Sequence, residues 1–227
     1  RCGIEEFIDK NAFFGVLRLK RDFGKENNVG FYATARTFPK NRNFTGGFDG
    51  TFKLDPKTVM KFQVLGTHSR KFFYDPNLDR AKYRTGNGFG YSFNIDYTTD
   101  RHGWFLEAEG TTADYRTDAG FTSRTDTNSF FFANRVSTKS NPNATIIRAN
   151  WVQFAKYGLD WKGRTQFGLV GNNVDLSLQG NMSIHAEFGV QYEKIYEHEF
   201  GPTRNPANNR LGAFFGDPTR SATQPYV

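Results

Sequence analysis

Residues 88–98 read GFGYSFNIDYT, and they alternate in chemistry. Phe89, Tyr91, Phe93, Ile95 and Tyr97 fall on one side; Gly88, Gly90, Ser92, Asn94, Asp96 and Thr98 fall on the other. Strand side chains point to opposite faces with period two, so this is a strand with one apolar and one polar face. In a water-soluble β-protein the aromatic face turns into a core. In a membrane barrel it turns to lipid and the polar face lines the interior. The fold and the function both hang on that choice.

Composition narrows it. The chain has 227 residues, enough for one all-β domain of ordinary size. Its hydrophobic share is 37%, low for a chain with a large core, yet aromatics reach 17% with 25 Phe. This mixture favours strands over helices and suits an architecture with one apolar face per strand. No run of about 18 apolar residues occurs, which excludes a transmembrane helix but not a barrel strand. The net charge is +7. The basic residues are interleaved with acids along the strands rather than gathered in a patch, so nucleic acid is not an expected partner. The single cysteine, Cys2, excludes an internal disulfide, a cysteine zinc site and a CxxC redox pair.

Alternation predicts ten strands, near 13–24, 28–38, 43–54, 58–70, 86–99, 103–116, 126–138, 144–161, 164–179 and 182–196, with an eleventh starting near Leu211. Many are longer than the five or six residues usual in globular sheets. The connections GKEN, LDPK, TDRHG, KSNPN and QGN are short and rich in turn formers. Between them lie the longer RKFFYDPNLDRAKYRTG, YRTDAGFTSRT and EHEFGPTRNPANN. Short and long connections alternate, as in barrels with short turns on one side and longer loops on the other. Lys162–Gly163 is the exception, tight where a long loop is expected.

The eight steps from Phe89 to Tyr97 span roughly 26 Å of strand, or roughly 20 Å along the membrane normal at a tilt of about 40°. That is close to the apolar band of a barrel, about 25 Å. With Phe89, Tyr91, Phe93, Ile95 and Tyr97 facing lipid, the basic residues expected inside are Arg18, Lys20, Arg36, Lys53, Lys61, Arg135 and Arg148. The acids expected beside them are Asp49, Asp96, Glu107, Glu109, Asp175, Glu187 and Glu193. The two sets match in number, which predicts a mixed-charge wall. A two-sheet sandwich shows the same alternation, so period alone leaves a soluble sandwich or solenoid open.

Three stretches add a resemblance. GVLRLKRDFGKENNVGFYATAR, DAGFTSRTDTNSFFFANR and LGAFFGDPTRSATQPYV resemble the barrel region of a bacterial outer-membrane family of unassigned function. In that family a carbohydrate-binding-type module precedes a large C-terminal β-barrel. The likeness covers most of residues 13–227. It implies an antiparallel up-and-down transmembrane β-barrel segment, incomplete at both ends, in the bacterial outer membrane. It also implies the lipid bilayer as partner, with other outer-membrane or periplasmic proteins as further candidates. It carries over no catalytic or binding residue.

Other chemistry is thinly signalled. Asp75, Asn77 and Asp79 match the first ligand positions of a calcium loop, but Arg80 stands where glycine is wanted and Gly86 where the distal Glu belongs. His68, His102, His185 and His198 show no metal-ligand spacing. Glu197, His198 and Glu199 are adjacent, so alternate faces separate them. Asp175, Ser183 and His185 contain the residue types of a hydrolase triad, without a recognisable oxyanion hole. The basic–aromatic FYATARTF suits an oligonucleotide-binding face no better than a barrel strand. No cofactor, metal or enzymatic activity is expected. The expected role is a pore, a transport-associated scaffold or a membrane anchor for an external module. The alternative is a soluble β-sandwich that binds carbohydrate.

Overall fold

The computed structural model describes residues 8–75, 80–118, 124–196 and 221–226. Its strands are β1 (Phe13–Phe23), β2 (Asn27–Phe38), β3 (Asn41–Asp55), β4 (Thr58–Asp75), β5 (Arg80–Thr98), β6 (His102–Thr111), β7 (Thr127–Ser137), β8 (Ile146–Leu159), β9 (Thr165–Leu178), β10 (Met182–Lys194) and β11 (Ser221–Tyr226). They form one eleven-stranded sheet in sequence order, each strand antiparallel to its neighbours. The described residues therefore form an all-β, up-and-down meander. Among the described residues the sheet does not close, since β1 and β11 pair on one side only.

The turns follow from local chemistry. Between β9 and β10 the φ angles of Gly180 (77°) and Asn181 (59°) are both left-handed. Glycine and asparagine adopt that region at least cost, and the reversal lets Leu178 pair with Met182. The β8–β9 connection is tight, as Lys162–Gly163 indicates. Asp160 holds it: its carboxylate accepts from the Lys162 and Arg164 amides at 2.9 and 2.8 Å and from Arg164 Nε at 2.7 Å. Burial works against ionising Asp160, but these donors outweigh it and hold the carboxyl below the usual range.

Two expectations are corrected. The long segment after residue 70 is mostly strand: β4 and β5 run 18 and 19 residues and pair out to Asp75 and Arg80. Their backbone groups satisfy one another across the hairpin, so the ladder continues beyond the apolar stretch. Conversely, β6 stops at Thr111 rather than near residue 116, because the chain leaves the sheet and folds back over it. The next described strand after β10 is Ser221–Tyr226; the strand expected to start near Leu211 falls outside the described residues.

By alternation of direction, the β4–β5, β6–β7 and β10–β11 connections all leave the same end of the sheet. Tags inserted at Asn77 and Asn208 are therefore expected on one side of the sheet, and of a membrane if the sheet spans one. Labelling of intact cells should reach both; labelling of one alone would mean an odd number of crossings between them.

The packing inverts that of a water-soluble domain. Among the described residues Tyr115 is the one buried hydrophobic side chain, while Thr34, Asn43, Thr45, Thr67, Ser69 and further polar groups are buried. Phe48 and Val170 are each 62% exposed, and Leu17, Leu19, Phe44, Phe89, Phe130, Phe132 and Val190 are exposed with them. Register places all of these apolar residues on one face of the sheet. Phe14 and Val16 are exposed on the other.

Candidate functional site: the polar face and the segment that covers it

The register puts Phe89, Tyr91, Phe93, Ile95 and Tyr97 on the apolar face. All fourteen charged residues expected inside lie on the opposite, polar face: Arg18, Lys20, Arg36, Asp49, Lys53, Lys61, Asp96, Glu107, Glu109, Arg135, Arg148, Asp175, Glu187 and Glu193.

Their partners are mostly not each other. Within the set, one acid meets one base: Arg18 grips Asp49 through both guanidinium nitrogens, Nη2 at 2.6 Å from Oδ2. The pair reaches from β1 to β3 across Gly30, where a Cβ would stand 2.7 Å from Arg18 Nη2 and 2.9 Å from Asp49 Oδ1. Arg135 instead donates to the Thr99 carbonyl at 2.8 Å and Arg148 to the Asp100 carbonyl at 3.0 Å. Both reach the β5–β6 turn. Lys53 pairs with Glu26, and Arg36 pairs with Asp118 at 2.8 Å.

Asp118 belongs to the main feature of this face. After β6, residues 112–118 lie across the polar sides of β5, β4, β3 and β2. The Thr112 amide donates to the Phe89 carbonyl at 2.9 Å. Arg84 holds Asp114 at 2.7 Å. The Arg116 amide donates to Thr67 Oγ1 at 3.3 Å. Asn43 then bonds twice: its Nδ2 donates to the Arg116 carbonyl at 2.8 Å, and its Oδ1 accepts from the Asp118 amide at 2.9 Å. Asn43 is consequently 2% exposed and Thr45 3%. Gly88 and Gly90 make the crossing possible, because a Cβ at either would collide with Tyr115. The aromatic ring of Tyr115 thus rests on a glycine patch of the polar face.

Arg36 and Arg116 converge on the two oxygens of Asp118 at 2.8 and 2.6 Å. Burial opposes its ionisation, but the two guanidiniums prevail and keep the carboxyl below the usual range. A depressed carboxyl stabilises above its unfolded pKa, about 3.9 for Asp, and that contribution is lost as pH falls through the lower folded value. Segment 112–118 is therefore expected to stay docked at neutral pH and to loosen below about pH 4. Asp118→Asn should mimic the acid state at pH 7, costing about 1–2 kcal/mol of local stability after discounting for solvent screening. Amide hydrogen exchange of residues 112–118, normalised to the intrinsic rate at each pH, measures both.

No known family model, characterised protein or solved structure matches the chain.

The remaining candidates separate in space. His185 Nδ1 lies 2.6 Å from Asp175 Oδ1 across the β9–β10 pair. Ser183 sits on the same face, opposite Ser177, but no hydrogen bond joins it to His185 among the described residues. Asn77, Asp79, Glu197, His198 and Glu199 lie outside the described residues, and only the backbone pairing of Asp75 with Arg80 is described there. Among the described residues no three His, Cys, Asp or Glu side chains gather as a metal site. Sequence reasoning missed the covering segment. Its one local signal is the run of glycines at 86, 88 and 90, which leaves the polar side of β5 without side chains.

Proposed function

We propose that the sheet is part of the wall of a bacterial outer-membrane β-barrel, with the apolar face in lipid and the polar face around a passage. One observation carries this reading: among the described residues most of the exposed large apolar side chains lie on one face of a single sheet, while the buried side chains are polar except Tyr115. A sandwich would lay a second sheet on the aromatic face, and the described strands all belong to one sheet.

The layout of the apolar face agrees. Aromatic residues with a polar atom lie toward both of its ends. At the end of the β6–β7 connection, Trp161 donates to the Thr111 carbonyl at 2.8 Å and meets Tyr91 edge-on. At the other end Tyr97 stacks on Trp104 at 5.9 Å. Between them run Phe93, Ile95, Leu106, Phe130 and Phe132. Aromatic girdles flanking an apolar band mark barrel walls. In lipid every strand edge must be paired, so β1 and β11 would need further partners, as they would have within a larger barrel. The resemblance of most of residues 13–227 to the outer-membrane family points the same way.

Segment 112–118 gives the proposed role its character. Lying over four strands of the polar face, it would narrow the passage near the end where the long connections emerge. A restricted pore or a transport-associated scaffold fits this better than an open channel. The reading assigns no catalytic step.

The test is extraction and electrophoresis. The protein should require detergent and should migrate anomalously on gels unless heated. A protein that stays monodisperse in water and binds glycans through its exposed aromatics would instead be the soluble carbohydrate-binding alternative.

A further inference from the structure

We propose that a basic pocket at the β2–β3 turn, beside β4, binds phosphate groups. The cavity is about 400 Å³, and its charged lining is Arg36, Arg42, Arg70, Lys71, Arg116 and Asp118. One carboxylate thus stands among five cations, and Asp118 is already shared by Arg36 and Arg116. The other three cations make no ion pair among the described residues.

Their placement is costly without a ligand. Arg42 and Arg70 are direct partners across β3 and β4, and like charges directly opposite destabilise a sheet. Arg70 is held in place by the Tyr83 ring, 5.0 Å from its guanidinium carbon. Lys71, the next residue along, belongs by register to the polar face, so the cations lining the pocket come from both faces of the sheet beside the β2–β3 turn. Guanidinium forks match the paired oxygens of a phosphate, and a lysine ammonium adds a point charge. A phosphate group carries more than one negative charge and enough oxygens to engage several of these donors at once. The inference does not depend on what covers the apolar face.

Such a phosphate could arrive on a small solute or on a lipid headgroup, because Arg42 and Arg70 share the face of Phe44 while Arg36 and Lys71 share that of Asn43. The shared chemistry is the phosphate oxygens. The intact detergent-solubilised protein is titrated with sodium phosphate against sodium chloride at equal ionic strength, and the thermal midpoint is followed. Phosphate should raise the midpoint at millimolar concentration where chloride does not. The double variant R42Q/K71Q should weaken phosphate binding at least tenfold, whereas Lys162→Gln, on an exposed distant turn, should leave it unchanged. Because Arg42 faces Arg70, R42Q alone should raise stability in phosphate-free buffer, which reads the repulsion without any ligand. Equal shifts with phosphate and chloride, or full phosphate binding by R42Q/K71Q, would overturn the proposal. Competition between inorganic phosphate and micelles doped with phosphatidic acid supports it with a headgroup as the source; phosphate binding without that competition supports it with a soluble source.

Discussion

Replacing Phe93 with arginine is expected to cost about 2–4 kcal/mol when the protein is refolded in lipid vesicles. Phe93 lies midway along the Phe89–Tyr97 stretch, between Phe62 of β4 and Ala108 of β6 on the apolar face. It is half-buried by its own sheet neighbours alone. In water an arginine there would be an ordinary surface substitution, with an effect within about 0.5 kcal/mol. In a bilayer it would hold a charge near the midplane, where desolvation is most severe. The same change at Phe89, nearer the end of the band and 41% exposed, should cost distinctly less. Urea titrations of the two variants in vesicles give the comparison. Equal and negligible costs would show that the apolar face meets water, and the barrel reading would fail with it.

Gly88→Val should undock segment 112–118 while leaving every charged contact chemically available. A Cβ at Gly88 would run into the Tyr115 backbone and stand 2.8 Å from the Asp114 carbonyl carbon. Backbone cannot swing aside as a side chain tip can, so the segment must lift. Overpacking of this kind costs roughly 1–3 kcal/mol, and contact with backbone places it at the upper end. The β-branched residue itself suits β5, so the strand should persist. The expected results are faster amide exchange across 112–118, unchanged protection in β5 and, for reconstituted protein in planar bilayers, a larger conductance than the parent. Continued protection of 112–118 in the variant would mean that the segment is not seated on Gly88. Faster exchange without any conductance would favour a scaffold over a pore. The two substitutions act on opposite faces of one strand, so their effects on the apolar face and on the covered polar face can be separated.

The strand order, the two faces and the charges that share the polar face were legible before the structure, because each is encoded at short range. Period two assigns a face to every residue of a strand once one residue is assigned, and Gly180–Asn181 or Asp160–Gly163 reverses the chain by local geometry. What the polar residues do was not legible. Equal numbers of acids and bases predict a mixed-charge wall but not who pairs with whom: Arg36 turns to Asp118, 82 residues on, and Arg135 and Arg148 turn to the backbone of a neighbouring turn. The extension of β4 and β5 was hidden because its residues do not alternate cleanly; the backbone ladder alone sustains it. Residues 112–118 carry no periodicity that could announce their path. Their position depends on Asn43, Thr67, Arg84 and Gly88, which only the folded sheet brings within reach of one another. Alternation along the chain thus determined which side of the sheet each residue occupies. Contacts between segments distant in sequence decided which stretch of that polar side is covered, and leave the basic pocket at its edge.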